Sequence, residues 1–236
     1  MPLELSVSEL APRFPEFRVA VVVAEALELR AERTPSLDRL IAEREEACRA
    51  RWADKELAEI PGIAAWRAAY KGFGIKKTSY RSSVERLVKR VKAGERLPAV
   101  NTLVDIYNLV SLTHVLCCGA DDLDRLAPPL AFRFARAGDS FADMGAQAGE
   151  DPNDPPKAGE VVYADSRHVL CRRWNWRQDA RTGISEATRR AVITVQANGW
   201  GDLDAATADL KRLAAQFCRA SVRSAVADAA APRIAL

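Results

Sequence analysis

Apolar residues fall into three patterns along this chain, and each pattern predicts a different kind of element. Phe17–Glu25 (FRVAVVVAE) is a short β-branched run and predicts a strand. Residues 3–7 (LELSV) alternate and predict an edge strand, while residues 130–136 (LAFRFAR) alternate with period two and predict a half-buried one. Residues 160–165 (EVVYAD) and 168–174 (HVLCRRW) predict an antiparallel pair around Asp165-Ser166-Arg167, and residues 188–197 (TRRAVITVQA) another strand. Helical spacing covers the rest. Thr34-Pro35-Ser36 opens a helix over about 36–57 that Ile60-Pro61-Gly62 breaks; further helices are predicted over 63–73, 84–92 and 202–227, ending in an Ala-rich tail expected to fray.

The richest stretch is 97–124, LPAVNTLVDIYNLVSLTHVLCCGADDLD. It reads as a buried helix with strand resuming only after Ala120-Asp121-Asp122. Asn101, Asp105 and Asn108 lie three and four residues apart, so a helix places them on one face. A polar stripe on so apolar a helix is either a satisfied structural network or the lining of a cleft. Residues 138–159 carry glycines and prolines and read as a long hairpin connection or a lid. With helices and strands loosely segregated, no repeat and no clear linker, the expected fold class is α+β (mixed α/β) in a single compact domain over 1–236.

Composition narrows the chemistry. The 236 residues are 48% hydrophobic and 28% charged, ordinary for a globular chain. No apolar run approaches the roughly 20 residues that span a bilayer, and MPLELSVSEL lacks a secretory pattern, so no membrane partner and a cytoplasmic location are expected. Five scattered cysteines and two histidines offer no zinc spacing, and reduced buried thiols are expected. Neither a phosphate-cradling GxxxxGK[ST] loop, a GxGxxG turn nor a GxSxG elbow is present, so no cofactor or metal is expected.

Charge is unevenly placed on a net balance of only +3. Residues 71–96 hold 9 Lys and Arg against Glu85 and Glu95, and residues 167–190 hold 7 Arg against Asp179 and Glu186. Two such blocks fit a phosphate backbone, although solvated faces look alike.

Three polar groups remain as candidate chemistry. The first is Tyr80, Arg81, Ser82 and Ser83 with Glu85, where Ser82 and Glu85 also fit a capping box. Asn101, Asp105 and Asn108 form the second. The third is Trp174, Asn175, Trp176, Arg177 and Gln178, followed by Thr182; its indoles and amides suit a flat group such as a base or a guanidinium. Strand alternation would put Trp174 and Trp176 on one face, one in the core and one at a rim.

The 97–124 stretch resembles the editing domain of the phenylalanyl-tRNA synthetase beta subunit, whose proline-isoleucine-x-asparagine turn and val-asp-x-thr-asn helix match Pro98, Asn101, Val104, Asp105 and Asn108. Residues 161–195 are similar to that family's second half. The segments YKGFGIKKTSYRSSVE and RWNWRQDARTG resemble its free-standing members, and the likeness covers about residues 63–197. It implies hydrolysis of the ester joining an amino acid to the terminal adenosine of a tRNA.

On that likeness, Asn108 matches the asparagine of the editing pocket, Tyr107 stands where a threonine is usual, and Gly119 falls where the family has a pocket histidine. The missing histidine argues against the synthetase's tyrosine specificity and its water-positioning device. Removal of canavanine from arginine tRNA is the leading implied activity. Tyrosyl-tRNA(Phe), another mischarged tRNA, and a non-catalytic tRNA- or RNA-binding module are the alternatives. The implied catalytic set is Asn108, Asp105, Ser82, Ser83 and Glu85. Tyr80, Arg81, Asn101, Tyr107, Trp174, Trp176, Arg177, Gln178 and Thr182 are expected to bind substrate. Lys71, Lys76, Lys77, Lys89 and Arg90 are expected to meet tRNA phosphates, which set register without reading identity.

Overall fold

The computed structural model describes residues 2–75, 80–147, 149 and 151–236. Lys76 and Lys77 lie outside the described residues. Among the described residues are five α-helices and two sheets, an α+β arrangement.

The four-stranded sheet is antiparallel throughout and is built on β2 (Phe17–Glu25). β2 is flanked by β8 (Ala191–Asn198) and β9 (Ser221–Ala227), with β3 (Cys117–Asp122) at the edge beyond β8. Seven of its nine side chains are buried because α5 (Leu203–Cys218) covers the sheet while β8 and β9 occupy its edges. The six-stranded sheet runs in the order β10 (Arg233–Ala235), β1 (Glu4–Ser6), β4 (Leu130–Phe134), β5 (Val161–Ala164), β6 (Val169–Arg172) and β7 (Arg177–Gln178). Only its β1–β4 pair is parallel.

Helices α1 (Pro35–Arg51), α2 (Pro61–Gly72), α3 (Ser83–Lys92) and α4 (Thr102–His114) complete the fold. Their starts follow local chemistry. Thr34, Ser82, Asn101 and Asp202 cap α1, α3, α4 and α5 by accepting a backbone N–H, each cap being worth about 1 kcal/mol. Pro61 begins α2 at a first-turn position, where its missing N–H is harmless, rather than separating two helices. Gly62 lets that helix start approach the end of α4, since a Cβ there would lie 2.5 Å from the Val115 carbonyl oxygen.

An aromatic cluster fastens the two sheets together. Phe17 of β2 meets Phe132 of β4 edge-on at 5.1 Å between ring centroids, and Trp174 sits among Phe14, Phe17 and Trp66 at 4.8–5.3 Å. Trp174 is fully buried, so it is a core residue and not a substrate contact. The strand alternation expected over Trp174–Arg177 fails because β6 ends at Arg172 and both Arg173 (φ 46°) and Trp174 (φ 68°) take left-handed backbone.

Other expectations are corrected. Residues 4–6 form an interior strand between β4 and β10, not an edge, because the C-terminal segment returns to pair with it. The helix in 97–124 stops at His114, where Val115 turns left-handed (φ 54°), and CCGADD is strand β3. The last helix ends at Cys218, and residues 221–235 supply β9 and β10 rather than a frayed tail.

Candidate functional site

The early end of α4 creates the site. Its polypeptide reverses at Val115 and returns as β3, so the Asn108 face of the helix and the Gly119–Asp121 part of the strand border one cavity of about 420 Å³. α3 contributes Ser83 and Arg86, β8 contributes Thr194 and Gln196, β5 contributes Tyr163, and the 175–178 segment closes the far side.

Asn108 is half-buried on α4 and lines the cavity, and its side-chain amide makes no hydrogen bond among the described residues. Tyr107 lines it too, its phenol pushed up by burial and then by the nearby Asp121 and Cys118. Ser83 lies at the N-terminus of α3, whose first N–H groups and dipole favour negative charge. Its backbone N–H donates to the Asn175 carbonyl oxygen at 3.0 Å, which joins α3 to the opposite wall.

A relay of amides and hydroxyls leads into the cavity. Tyr70 Oη donates to Asn175 Oδ1 (2.9 Å), Asn175 Nδ2 to Gln196 Oε1 (3.2 Å), and Gln196 Nε2 to Thr194 Oγ1 (3.1 Å). Because Thr194 Oγ1 already accepts from Gln196, its own proton is available to a ligand. Tyr163 Oη is buried with no hydrogen-bond partner among the described residues. Burial, then the charges of Asp121, Asp165 and Cys171, raise its phenol well above the ordinary value.

Asp121 is the titratable group that sequence reasoning missed. Only 4% exposed, it accepts from Thr182 Oγ1 (2.6 Å) and Gln178 Nε2 (3.1 Å), both onto Oδ1. No cation pairs with it among the described residues. Burial pushes its carboxyl up to about 7 against the lowering effect of those two hydrogen bonds. No motif flags such a residue; its one sequence signal was membership of the CCGADD segment, which read as a helix end. Arg86, Tyr163, Thr194 and Gln196 were likewise unflagged, and they come from three separate elements.

Trp176, Arg177 and Gln178 all border the cavity. Trp176 is held by the edge of Tyr80 (5.0 Å) and by the guanidiniums of Arg173 and Arg177 (4.4 and 4.8 Å). Tyr80 therefore braces a lining residue rather than lining the cavity itself. Arg177 pairs with Asp143, and Arg86, exposed at the mouth, donates to the Trp176 carbonyl oxygen at 3.3 Å. Gln178 also donates to the Ala120 carbonyl oxygen, so its amide is committed to the β3 edge. Thr182 acts on the cavity through Asp121 alone.

Several expected site residues have structural work elsewhere. Asp105 is fully buried against Arg33, with Nε to Oδ2 at 2.7 Å, and also accepts from Val100 N at 3.2 Å. Asn101 caps α4 through Val104 N (3.1 Å), and Ser82 caps α3 through Glu85 N (3.4 Å). Glu85 does not complete the capping box. Its carboxylate instead binds Arg67 (2.6 Å) and Arg81 (2.8 Å), which takes Arg81 out of reach as a free substrate contact. Asp105, Ser82, Glu85, Asn101 and Arg81 are absent from the cavity lining. Lys71, Lys89 and Arg90 are exposed on the last turns of α2 and α3, away from the lining; Arg90 pairs with Glu95 at 3.0 Å.

Thiol chemistry is not favoured at the site. Burial raises the Cys118 thiol well above its ordinary value and pushes the Cys117 thiol up to about 11, so neither supplies thiolate near neutrality. His114 is held by Asp209 at 3.2 Å, on the α5 side of α4. Among the described residues no cluster of three or more His, Cys, Asp or Glu side chains is placed to hold a metal ion. Nor does any described helix have the length and apolarity to cross a membrane.

Residues 65–211 match the family model described as the B3/4 domain, somewhat beyond the C-terminal limit of the likeness read from sequence. Among solved structures, the chain is similar to an N-terminal fragment of the phenylalanyl-tRNA synthetase beta subunit from Pyrococcus horikoshii. Identity is 16% and the TM-score 0.45, with 93% of this chain and 50% of that chain covered. This chain thus spans about half the length of that fragment. A search of curated proteins found no match.

Proposed function

The chain belongs to the B3/4 domain family, the editing-type domain of the phenylalanyl-tRNA synthetase beta subunit, and on that premise we propose that it is a trans-editing hydrolase. Its substrate is the ester of a mischarged aminoacyl-tRNA, with canavanyl-tRNA(Arg) as the leading candidate and tyrosyl-tRNA(Phe) or another mischarged tRNA behind it. The observation that carries this reading is Asn108, an amide with no partner of its own, lining a cavity large enough for an amino acid.

Aminoacyl esters are activated, so positioning of water and stabilisation of the oxyanion account for the catalysis required. Asn108 and the Ser83 hydroxyl at the start of α3 are the donors aimed at the reacting carbonyl, and the vicinal ribose hydroxyl assists. Tyr107 and Trp176 bound the amino acid or the terminal adenine. Arg86 at the mouth, with exposed Lys71 and Lys89, supplies charge for the phosphates of the acceptor end. Editing in a separate site is the physical remedy when a synthetase cannot separate close analogues by binding alone.

The test is incubation with canavanyl-, arginyl-, tyrosyl- and other mischarged tRNAs while loss of the ester is followed. Rapid deacylation of one mischarged species, with the correct pair spared, is the expected result. Binding of tRNA without turnover on any of them would instead identify a tRNA-binding module.

A further inference from the structure

β3 carries two adjacent departures from an ordinary strand, and both open toward the cavity. At Gly119 a Cβ would meet no atom within 4 Å, so the strand leaves vacant space beside Thr194, its partner across β8. Two residues on, and therefore on the same face, stands Asp121. Both of its hydrogen bonds fall on Oδ1 and come from neutral groups; Oδ2 receives none among the described residues. Tyr163 Oη, the unpartnered buried phenol, and Tyr107 line the same cavity.

A buried carboxyl needs a cation or several donors to ionise at little cost. Of the two guanidiniums in the lining, Arg177 is already committed to Asp143 and Arg86 donates to the Trp176 carbonyl oxygen. The group therefore lacks the partner that its surroundings demand. Burial raises its carboxyl, and the two neutral hydrogen bonds only partly offset that.

We propose that Gly119 and Asp121, with Thr194 and Tyr163 in the same cavity, form the subsite for the substrate's amino-acid side chain. It selects side chains long enough to reach past Gly119 and ending in a hydrogen-bond donor, such as a guanidino, oxyguanidino or amino group. The inference rests on the deacylase reading and gives it residues. Gly119 provides the length, Asp121 Oδ2 accepts from the end group, and the flanking phenol rings favour a flat one. An apolar side chain of equal length would leave Asp121 Oδ2 without a donor in a desolvated site, which is the stronger form of discrimination.

The experiment compares kcat/KM of the full chain on canavanyl-, arginyl-, lysyl-, phenylalanyl- and alanyl-tRNA, before and after Asp121→Asn and Gly119→Val. The expected wild-type preference for at least one donor-ended substrate over phenylalanyl-tRNA is about tenfold or more, and Asp121→Asn should collapse that ratio toward one. Gly119→Val should lower turnover of long side chains about tenfold more than that of alanyl-tRNA; this variant carries the test if Asp121→Asn fails to fold. A wild-type preference for phenylalanyl- or alanyl-tRNA, or a ratio that neither variant moves, overturns the subsite. If no tRNA is hydrolysed the deacylase reading falls, and calorimetry with canavanine amide and phenylalanine amide decides the subsite alone. Tighter binding of the former that Asp121→Asn abolishes supports it. Equal or undetectable binding of both overturns it.

Discussion

Thr182 Oγ1 donates to Asp121 Oδ1 at 2.6 Å, so a hydroxyl, not a cation, meets the most deeply desolvated carboxyl of the cavity. Gln178 adds a second neutral donor, while Asp179 and Asp165 act in the opposite direction by raising the carboxyl further. Tyr107, Tyr163 and Cys171 feel its charge from the other elements around it.

Stability should consequently fall with rising pH. The carboxyl titrates at about 7 in the folded chain against an ordinary value of 3.8, so the folded state holds its proton more tightly than the unfolded one. The contribution is complete below the ordinary value and is lost as pH rises through about 7, at up to about 1.4 kcal/mol per unit of displacement. Thermal melts of wild type and Asp121→Asn across this range should diverge at the alkaline end, with the variant the more stable there. Curves that stay parallel from acid to alkaline pH would refute the assignment.

Asn108→Ala should separate catalysis from folding. The amide makes no hydrogen bond within the described protein and alanine is the better helix former, so the melting temperature should hold or rise slightly. Deacylation should fall by roughly 10²–10³-fold, the usual loss when one oxyanion donor is removed. Full activity in single-turnover assays would remove Asn108 from the mechanism while leaving the function standing.

The Arg33–Asp105 pair should behave in the opposite way. Its two partners are 9% and 0% exposed, and Arg33 also donates to the Pro98 carbonyl oxygen at 2.7 Å, fixing the turn before α4. Asp105→Ala strands a buried guanidinium and should cost about 3–5 kcal/mol in urea unfolding. At a temperature where the variant is folded, kcat should stay close to wild type, because Asp105 does not reach the cavity.

Trp174 and Trp176, two positions apart, should give unlike phenotypes. Trp174→Ala opens a hole among Phe14, Phe17 and Trp66 and should cost about 3–5 kcal/mol, measured by denaturant midpoint. Trp176→Ala should raise KM for the aminoacyl-tRNA with much less effect on that midpoint, since the residue is half-buried and borders the cavity.

The strand FRVAVVVAE was legible because every property of it agrees, from β-branching to length, and it is β2 to the residue. CCGADD was not legible as β3. Glycine and aspartate are poor strand formers, and that strand is held by pairing with β8, a partner some seventy residues away. The tail SVRSAVADAAAPRIAL misled through its alanines; β2 and β1 impose strand on it by long-range pairing. Within the site, Asn108, Trp176 and Gln178 stood out by type and spacing. Asp105, Glu85 and Ser82 stood out equally but are spent on an ion pair, two arginines and a helix cap. Asp121 acquires its character only from desolvation, which no local pattern encodes.

β3 is an edge strand of its own sheet, yet its outer side is not left open. Gln178 of β7 bonds the Ala120 carbonyl, and the Asp122 N–H donates to the Thr182 carbonyl oxygen at 2.8 Å, so β7 and the segment after it seal that side. The cavity wall is thus a seam between two independently built sheets. A ligand bound there bridges both sides of the seam and opposes their separation. Amide hydrogen exchange at Asp122 should therefore slow on occupancy, and it offers a reporter of binding that needs neither turnover nor a labelled tRNA.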